Sequence, residues 1–146
     1  MKTNRIVATT HLPFLLIRWL VGLVFISEGI QKFLFPASLG SGRFAQIGFA
    51  HPDFWADFTA GWEIIAGLFL LLGFLTRMAA IPLLIIMVVA FFSTKYPILV
   101  HKGFWPMAHE YRTDFAMTIL LILLLRYGGG DQSMDIRIHE KRPNSS

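Results

Sequence analysis

The sequence predicts an all-α protein, a bundle of four transmembrane helices with both termini on the cytoplasmic side. Three observations lead there. Apolar residues make up 55% of the 146-residue chain and charged residues 15%, outside the usual range of soluble domains. The apolar residues gather into four runs that reach, or nearly reach, the ~20 helical residues needed to cross a ~30 Å hydrocarbon core. Two stretches, Gly67 to Leu75 and Met78 to Phe92, are apolar on every face, whereas a helix of a soluble bundle keeps a polar stripe.

Charge and aromatic content fit the same class. The formal net charge is +4, yet the Lys and Arg residues fall at the edges of apolar runs, where lipid headgroups lie, rather than in a basic stripe interleaved with aromatics. The expected partner is therefore the lipid bilayer and not a nucleic acid. The absence of cysteine excludes disulfides, thiolate metal sites and any thiol relay made by this chain alone.

Residues 1–11 are read as a cytoplasmic N-terminal segment. The first span covers about residues 12–35. Its apolar run gives way to Glu28, Gln31 and Lys32 rather than to a small-residue cleavage site, so it is read as a mature span and not a signal peptide. The second span covers about 56–75, ending at Gly73 and Thr76. The Thr76–Arg77 joint is so short that spans two and three must form an antiparallel hairpin. Span three covers about 78–95, apolar from Met78 to Phe92, with Pro82 near its start, where a missing N–H matters least. Span four covers about 111–127 and stops at Gly128, Gly129 and Gly130, leaving 128–146 as a cytoplasmic tail.

Orientation follows from basic residues near the span ends. Lys2, Arg5, Arg77, Arg126, Arg137, Lys141 and Arg142 fall on one side, against Arg43, Lys95 and Lys102 on the other. The first side is therefore read as cytoplasmic, and the protein as multi-pass in the plasma membrane, of the bacterial inner-membrane kind. The outer loops, about 36–55 and 93–110, then bring Trp55, Tyr96 and Trp105 to the interface, with Trp62 near it, as an aromatic belt.

Ionisable groups within spans cost ~2.5–3.5 kcal/mol on insertion scales, so each needs a partner or an escape. Arg18 lies about two turns into span one, where it can either snorkel to the cytoplasmic headgroups or bridge to another helix or to the loop around Arg77. Glu28 and Lys32 are spaced i, i+4 and share a face. Counted by helical rise, Glu28 and Glu63 lie ~10 and ~12 Å deep on neighbouring antiparallel helices. The apolar stretch Phe115 to Leu125 is too short to cross alone, which draws Asp114, Arg112, Tyr111 and Glu110 into the boundary. Glu28, Lys32, Glu63, Arg112 and Asp114 are thus expected to converge in the outer third, with Tyr111 and His109 above. Such a cluster is either a buried ion-pair network that sets helix register or a site for a small polar or amphipathic ligand. In a ligand site, paired carboxylates could share a proton and Lys or Arg could hold a carbonyl or anion.

Gly22 and Gly29 on span one, and Gly61 and Gly67 on span two, are read as points of close helix approach. His51, His101 and His109 lack HxxxH or HxH spacing, so no metal site is expected.

Three stretches resemble the DoxX family of small four-helix membrane proteins. The segment IRWLVGLVFISEGIQKF carries Arg18, Gly22, Gly29 and Lys32. FAQIGFAHPDFWADFTAGWEIIAGLFLLLGFLTRMAA carries Gly48, Pro52, Glu63, Gly67, Gly73, Thr76 and Arg77. DFAMTILLILLLRYGGGDQSMD carries Asp114, Gly128, Gly130, Ser133 and Asp135. Asp114 stands where many members carry Glu. The resemblance covers about residues 12–135 and implies a four-helix membrane fold. One branch resembles the membrane subunit of a thiosulfate:quinone oxidoreductase, and others associate with oxidative-stress enzymes. The resulting expectation is a membrane subunit that binds a quinone or anchors a redox partner; with no intrinsic cofactor, redox work would need the quinone or the partner. The rivals are a non-catalytic scaffold or assembly factor, packed against a partner protein or another copy, and a small transporter. The transporter is disfavoured by the lack of an inverted repeat.

Overall fold

A computed structural model describes residues 12–130 and 132–140. The N-terminal segment, residue 131 and residues 141–146 lie outside the described residues, and with them Lys2, Arg5, Lys141 and Arg142 of the orientation argument. The elements are α1 (Leu12–Leu34), α2 (Ser41–Ile47), α3 (Pro52–Leu72), α4 (Thr76–Ala90), a π-helical segment (Phe91–Lys95), α5 (Tyr96–Lys102), α6 (Phe104–Tyr127) and α7 (Met134–Glu140). No strand occurs among the described residues.

Among the described residues, three stretches are long and apolar enough to cross a membrane: Phe14–Leu34, Pro52–Leu72 and the continuous Thr76–Lys102. At 24 residues α6 has the length, but Glu110, Arg112 and Asp114 in its first half leave it more polar than the other three.

The helices extend beyond the expected spans for local reasons. α3 starts at Pro52, which suits a first turn because its missing N–H has no intrahelical partner there. Asp53 in the same turn favours the positive end of the helix dipole. The outer loops expected over 36–55 and 93–110 are largely helical. Pro97 and Pro106 both fall within first turns, of α5 and α6, where they are tolerated. Pro82 is a correction: it lies inside α4, as its seventh residue, so it removes an interior backbone bond rather than a free end.

α1 packs along α3 more extensively than any other pair, and α4 packs on α6. Val21, Phe25, Leu70, Leu83, Leu121 and Leu124 fill the space between the pairs, each 0–1% exposed. The α1–α3 contact is close because both helices present glycine at one crossing. A methyl group on Gly22 would sit 2.8 Å from the Gly67 carbonyl oxygen, and one on Gly67 would sit 2.9 Å from that of Gly22. Gly29 meets the Ala60 carbonyl in the same way at 2.7 Å. Gly61 departs from expectation, since it faces open space with nothing within 4 Å of an added methyl.

The two ends of the bundle differ. At the hairpin end, α3 terminates at Gly73 in the left-handed conformation, φ +66°, and the Phe74 N–H returns to the Phe69 carbonyl at 2.9 Å. The tail is tied to this turn. Asp135 Oδ1 accepts from the Leu75 N–H at 2.7 Å and Oδ2 from the Thr76 N–H at 3.0 Å, so a distant carboxylate caps α4. The Asp135 N–H donates to the Gly73 carbonyl at 3.2 Å, and Ser133 is buried. The segment read from the sequence as a tail is therefore docked on this turn from Ser133 through Asp135. At the opposite end, α2 lies against α3 and covers the space between the helices as a lid.

Candidate functional site

The polar residues of the lid end are brought together by the direction in which helical side chains lean. Every Cα–Cβ bond tilts toward its helix N-terminus. α1 and α3 are antiparallel, so Lys32 leans away from the lid and Glu63 leans toward it. They meet: Lys32 Nζ donates to Glu63 Oε2 at 2.7 Å, with side chains 13% and 4% exposed. The expected pairing of Lys32 with Glu28 along α1 gives way to this cross-helix bond, which satisfies a carboxylate that burial would otherwise leave alone.

On the facing pair of helices, Lys95 Nζ lies 3.6 Å from Asp114 Oδ2. The π-helical segment places it there. One widened turn shifts the register, and Thr94 and Ser93 turn their hydroxyls back onto the Ala90 and Val89 carbonyls at 2.6 and 2.5 Å. Lys95, read from the sequence as an outer-side topology charge, is thereby buried inside the bundle. At 3.6 Å the pair is an ion contact without a direct hydrogen bond, so Asp114 takes none of the three donors of Lys95, whereas Lys32 spends one on Glu63.

Between the two ion pairs lies a cavity of about 490 Å³, within the range of small-molecule sites. Its charged lining is Glu28, Lys32, Glu63, Lys95 and Asp114, with Arg43 contributed by the lid; its apolar walls include Phe25, Phe58, Ile86 and Met117. Glu28 has no ion-pair partner among the described residues and is exposed within the lining. Three acids and three bases balance, which suits an uncharged ligand with polar atoms better than a free ion.

Two of the residues expected in the cluster lie elsewhere. Arg112 is exposed, and its Nη1 donates to the His109 ring at 2.9 Å, outside the cavity lining. The cause is periodicity: residues two apart on a helix point ~200° apart, so Arg112 cannot share the face of Asp114. Tyr111 packs its ring on Phe91, centroids 4.9 Å apart, and is likewise absent from the lining. Arg43 and Lys95 are the residues that the sequence reading missed. The i, i+4 hydroxyl pattern before Lys95 leaves a weak trace in the sequence, and nothing local marks Arg43.

Arg18 does not snorkel. It is 2% exposed, and its Nη1 donates to the Gly129 carbonyl at 2.9 Å, with Asp135 near enough to act on it electrostatically. A side chain at Gly73 would collide with its guanidinium, and one at Gly129 would meet Thr76 and Ser133 and crowd the guanidinium at 3.2 Å, so the two glycines leave Arg18 its space. Arg18 thus ties α1 to the turn after α6 through a carbonyl, a partner that neither of the roles expected from the sequence had named. Arg77 is exposed beside Gly128 at the same end.

The DoxX family profile matches residues 14–96. An uncharacterized membrane protein of Mycobacterium tuberculosis is 50% identical over 131 residues, covering 86% of this chain and 80% of that protein. No solved structure matches. The profile match spans more than half of the chain, and the mycobacterial relative extends the likeness to nearly all of it. The chain therefore belongs to the DoxX family of integral membrane proteins.

Proposed function

We propose that the lid-end cavity binds a quinone-like molecule, and that the protein is the membrane subunit of a redox system whose electrons come from a partner protein. The observation that carries this reading is the void itself. A helix-register network would have closed on its ion pairs, and a scaffold would present a packed interior. Here about 490 Å³ remains between Lys32–Glu63 and Lys95–Asp114.

The residues fit such a ligand. A bound quinone supplies the reversible two-electron chemistry that a chain without cysteine lacks. Lys95, loosely paired, is placed to donate to a carbonyl oxygen, the role that sequence reading had offered to Lys32 or Arg112. Glu28, without an ion-pair partner among the described residues, is placed to hand over a proton. The apolar walls hold the ring, and α2 keeps bulk water off.

In this reading α6 is the fourth span. Its buried-side Asp114 is compensated by Lys95, and Arg112 stands at the headgroup level, so its charges do not bar it from the bilayer. The lid end faces outward and the hairpin end, with Arg77, Arg126 and Arg137, faces the cytoplasm of a bacterial inner membrane, which puts both termini inside.

The test is copurification. Protein extracted from native membranes should carry quinone in a defined ratio, and Glu63→Gln should lower that ratio several-fold while Arg112→Ala leaves it unchanged. Absence of quinone from the wild type, or equal loading in Glu63→Gln, would sink the reading in favour of a scaffold.

A further inference from the structure

We infer that the cavity takes its ligand sideways from the bilayer, through a mouth between α3 and α4, and that the ligand is an amphiphile whose long apolar tail stays in that mouth and along α3. This rests on the reading of the cavity as a quinone-type site and adds the ligand's class and its route.

The aqueous route is closed by contacts of its own. Leu39, Phe44, Ile47 and Phe49 line the cavity from the lid. Phe44 and Phe49 pack ring to ring at 5.2 Å, and Phe49 packs on Trp55 of α3 at 6.4 Å. The Phe49 N–H also bonds the Phe44 carbonyl at 3.0 Å, so the end of α2 is knitted to the segment that anchors it. Opening this side means parting an aromatic cluster.

The bilayer side is built the other way. α3 and α4 are held together at the Gly73–Leu75 turn, and the cavity lies between their far halves. Phe58 and Ile85 both line it, and they are 48% and 59% exposed, far more than the ion-paired Glu63 and Lys95 beside them. Residues that serve at once as cavity wall and as lipid-facing surface mark a mouth, and both are apolar. The lining therefore grades from charged groups inside, Glu63, Lys95 and Asp114, to hydrocarbon at the rim. A compact head group fits the charged part, and a molecule that ended there would leave the rim uncovered.

The rim also continues into a track. Phe54, Phe58 and Trp62 repeat at i, i+4 on the lipid-facing side of α3, stacked or edged at 5.8 and 6.4 Å, and are 58%, 48% and 42% exposed. An isoprenoid or acyl chain leaving the mouth would lie along these rings. Since the tail is already in hydrocarbon before it binds, its burial adds little hydrophobic free energy; what the track supplies is orientation and a path.

Two photoreactive quinones separate the possibilities in protein reconstituted into phosphatidylcholine nanodiscs, one with a diazirine on the ring and one with it midway along an isoprenoid tail. The expected result is ring-probe labelling at the cavity's charged part and tail-probe labelling on Phe54, Phe58, Trp62 or Ile85, competed by unlabelled tailed quinone. Ring labelling in the cavity with tail labelling on Phe44 or Phe49 of the lid end, or on Thr113 of α6, would overturn the route between α3 and α4 and leave the quinone reading standing. Ring labelling that avoids the cavity would overturn the quinone reading itself.

Discussion

Replacing Gly22 by alanine tests the contact that holds the bundle's main helix pair together. The added methyl would lie 2.8 Å from the Gly67 carbonyl oxygen and 3.1 Å from Leu71. The first neighbour is backbone, which cannot rotate away, so α1 must retreat from α3 by about 0.6 Å to reach ordinary contact at 3.4 Å. A gap of that size forfeits roughly a quarter to a half of the dispersion attraction of each neighbouring pair. Overpacking of this kind costs about 1–3 kcal/mol, and the better helix propensity of alanine returns up to ~1. The net expectation is a loss of about 1–2 kcal/mol, or roughly 2–8 °C in Tm for a chain of this size. Gly61→Ala supplies the control, because an added methyl there meets nothing within 4 Å; it should leave Tm unchanged or raise it. Thermal unfolding in one detergent, followed by circular dichroism, reads both. Equal Tm values for Gly22→Ala and Gly61→Ala would refute the close-approach reasoning.

Two further outcomes follow from the ends of the bundle. Asp135→Ala removes the acceptor of two N–H groups at the start of α4, and should cost about 1–2 kcal/mol. Amide exchange at Leu75 and Thr76 should rise with it; unchanged protection there would mean that the tail is not the cap. At the lid end, Glu63→Leu leaves Lys32 buried without its partner, at a cost of roughly 3–5 kcal/mol, whereas Glu63→Leu combined with Lys32→Met should recover most of that loss. A double variant less stable than the single one would show that the two side chains do not act as a pair.

The helices were legible because the bilayer demands long apolar runs, and Glu28 and Glu63 could be placed at similar depths by helical rise alone. What depth does not supply is azimuth. Arg112 and Asp114 have similar depth and opposite faces, and the 100° step per residue, applied to that pair, separates them. Glu28 and Lys32 share a face, but Lys32 leans toward Glu63 of α3, and the choice between two acids is made by the neighbouring helix rather than by sequence spacing. Long-range closure was the other gap. Arg18 reads locally as a charge two turns from a headgroup, and only the return of Gly129 and Asp135 from the far end of the chain makes it a buried tie. The π-helical turn that carries Lys95 inward has no signal in hydropathy, which sees only a basic residue at the end of an apolar run.

Trp55 lines the cavity and offers a direct reporter, because quinones quench indole fluorescence at contact range. In a variant that keeps Trp55 and replaces Trp19, Trp62 and Trp105 by phenylalanine, titration with a tailed quinone in nanodiscs should quench saturably at one quinone per chain, and Lys95→Met should weaken the binding at least several-fold. Quenching that rises linearly without saturation, matching a variant that keeps only the 80%-exposed Trp105, would contradict a quinone site in the cavity.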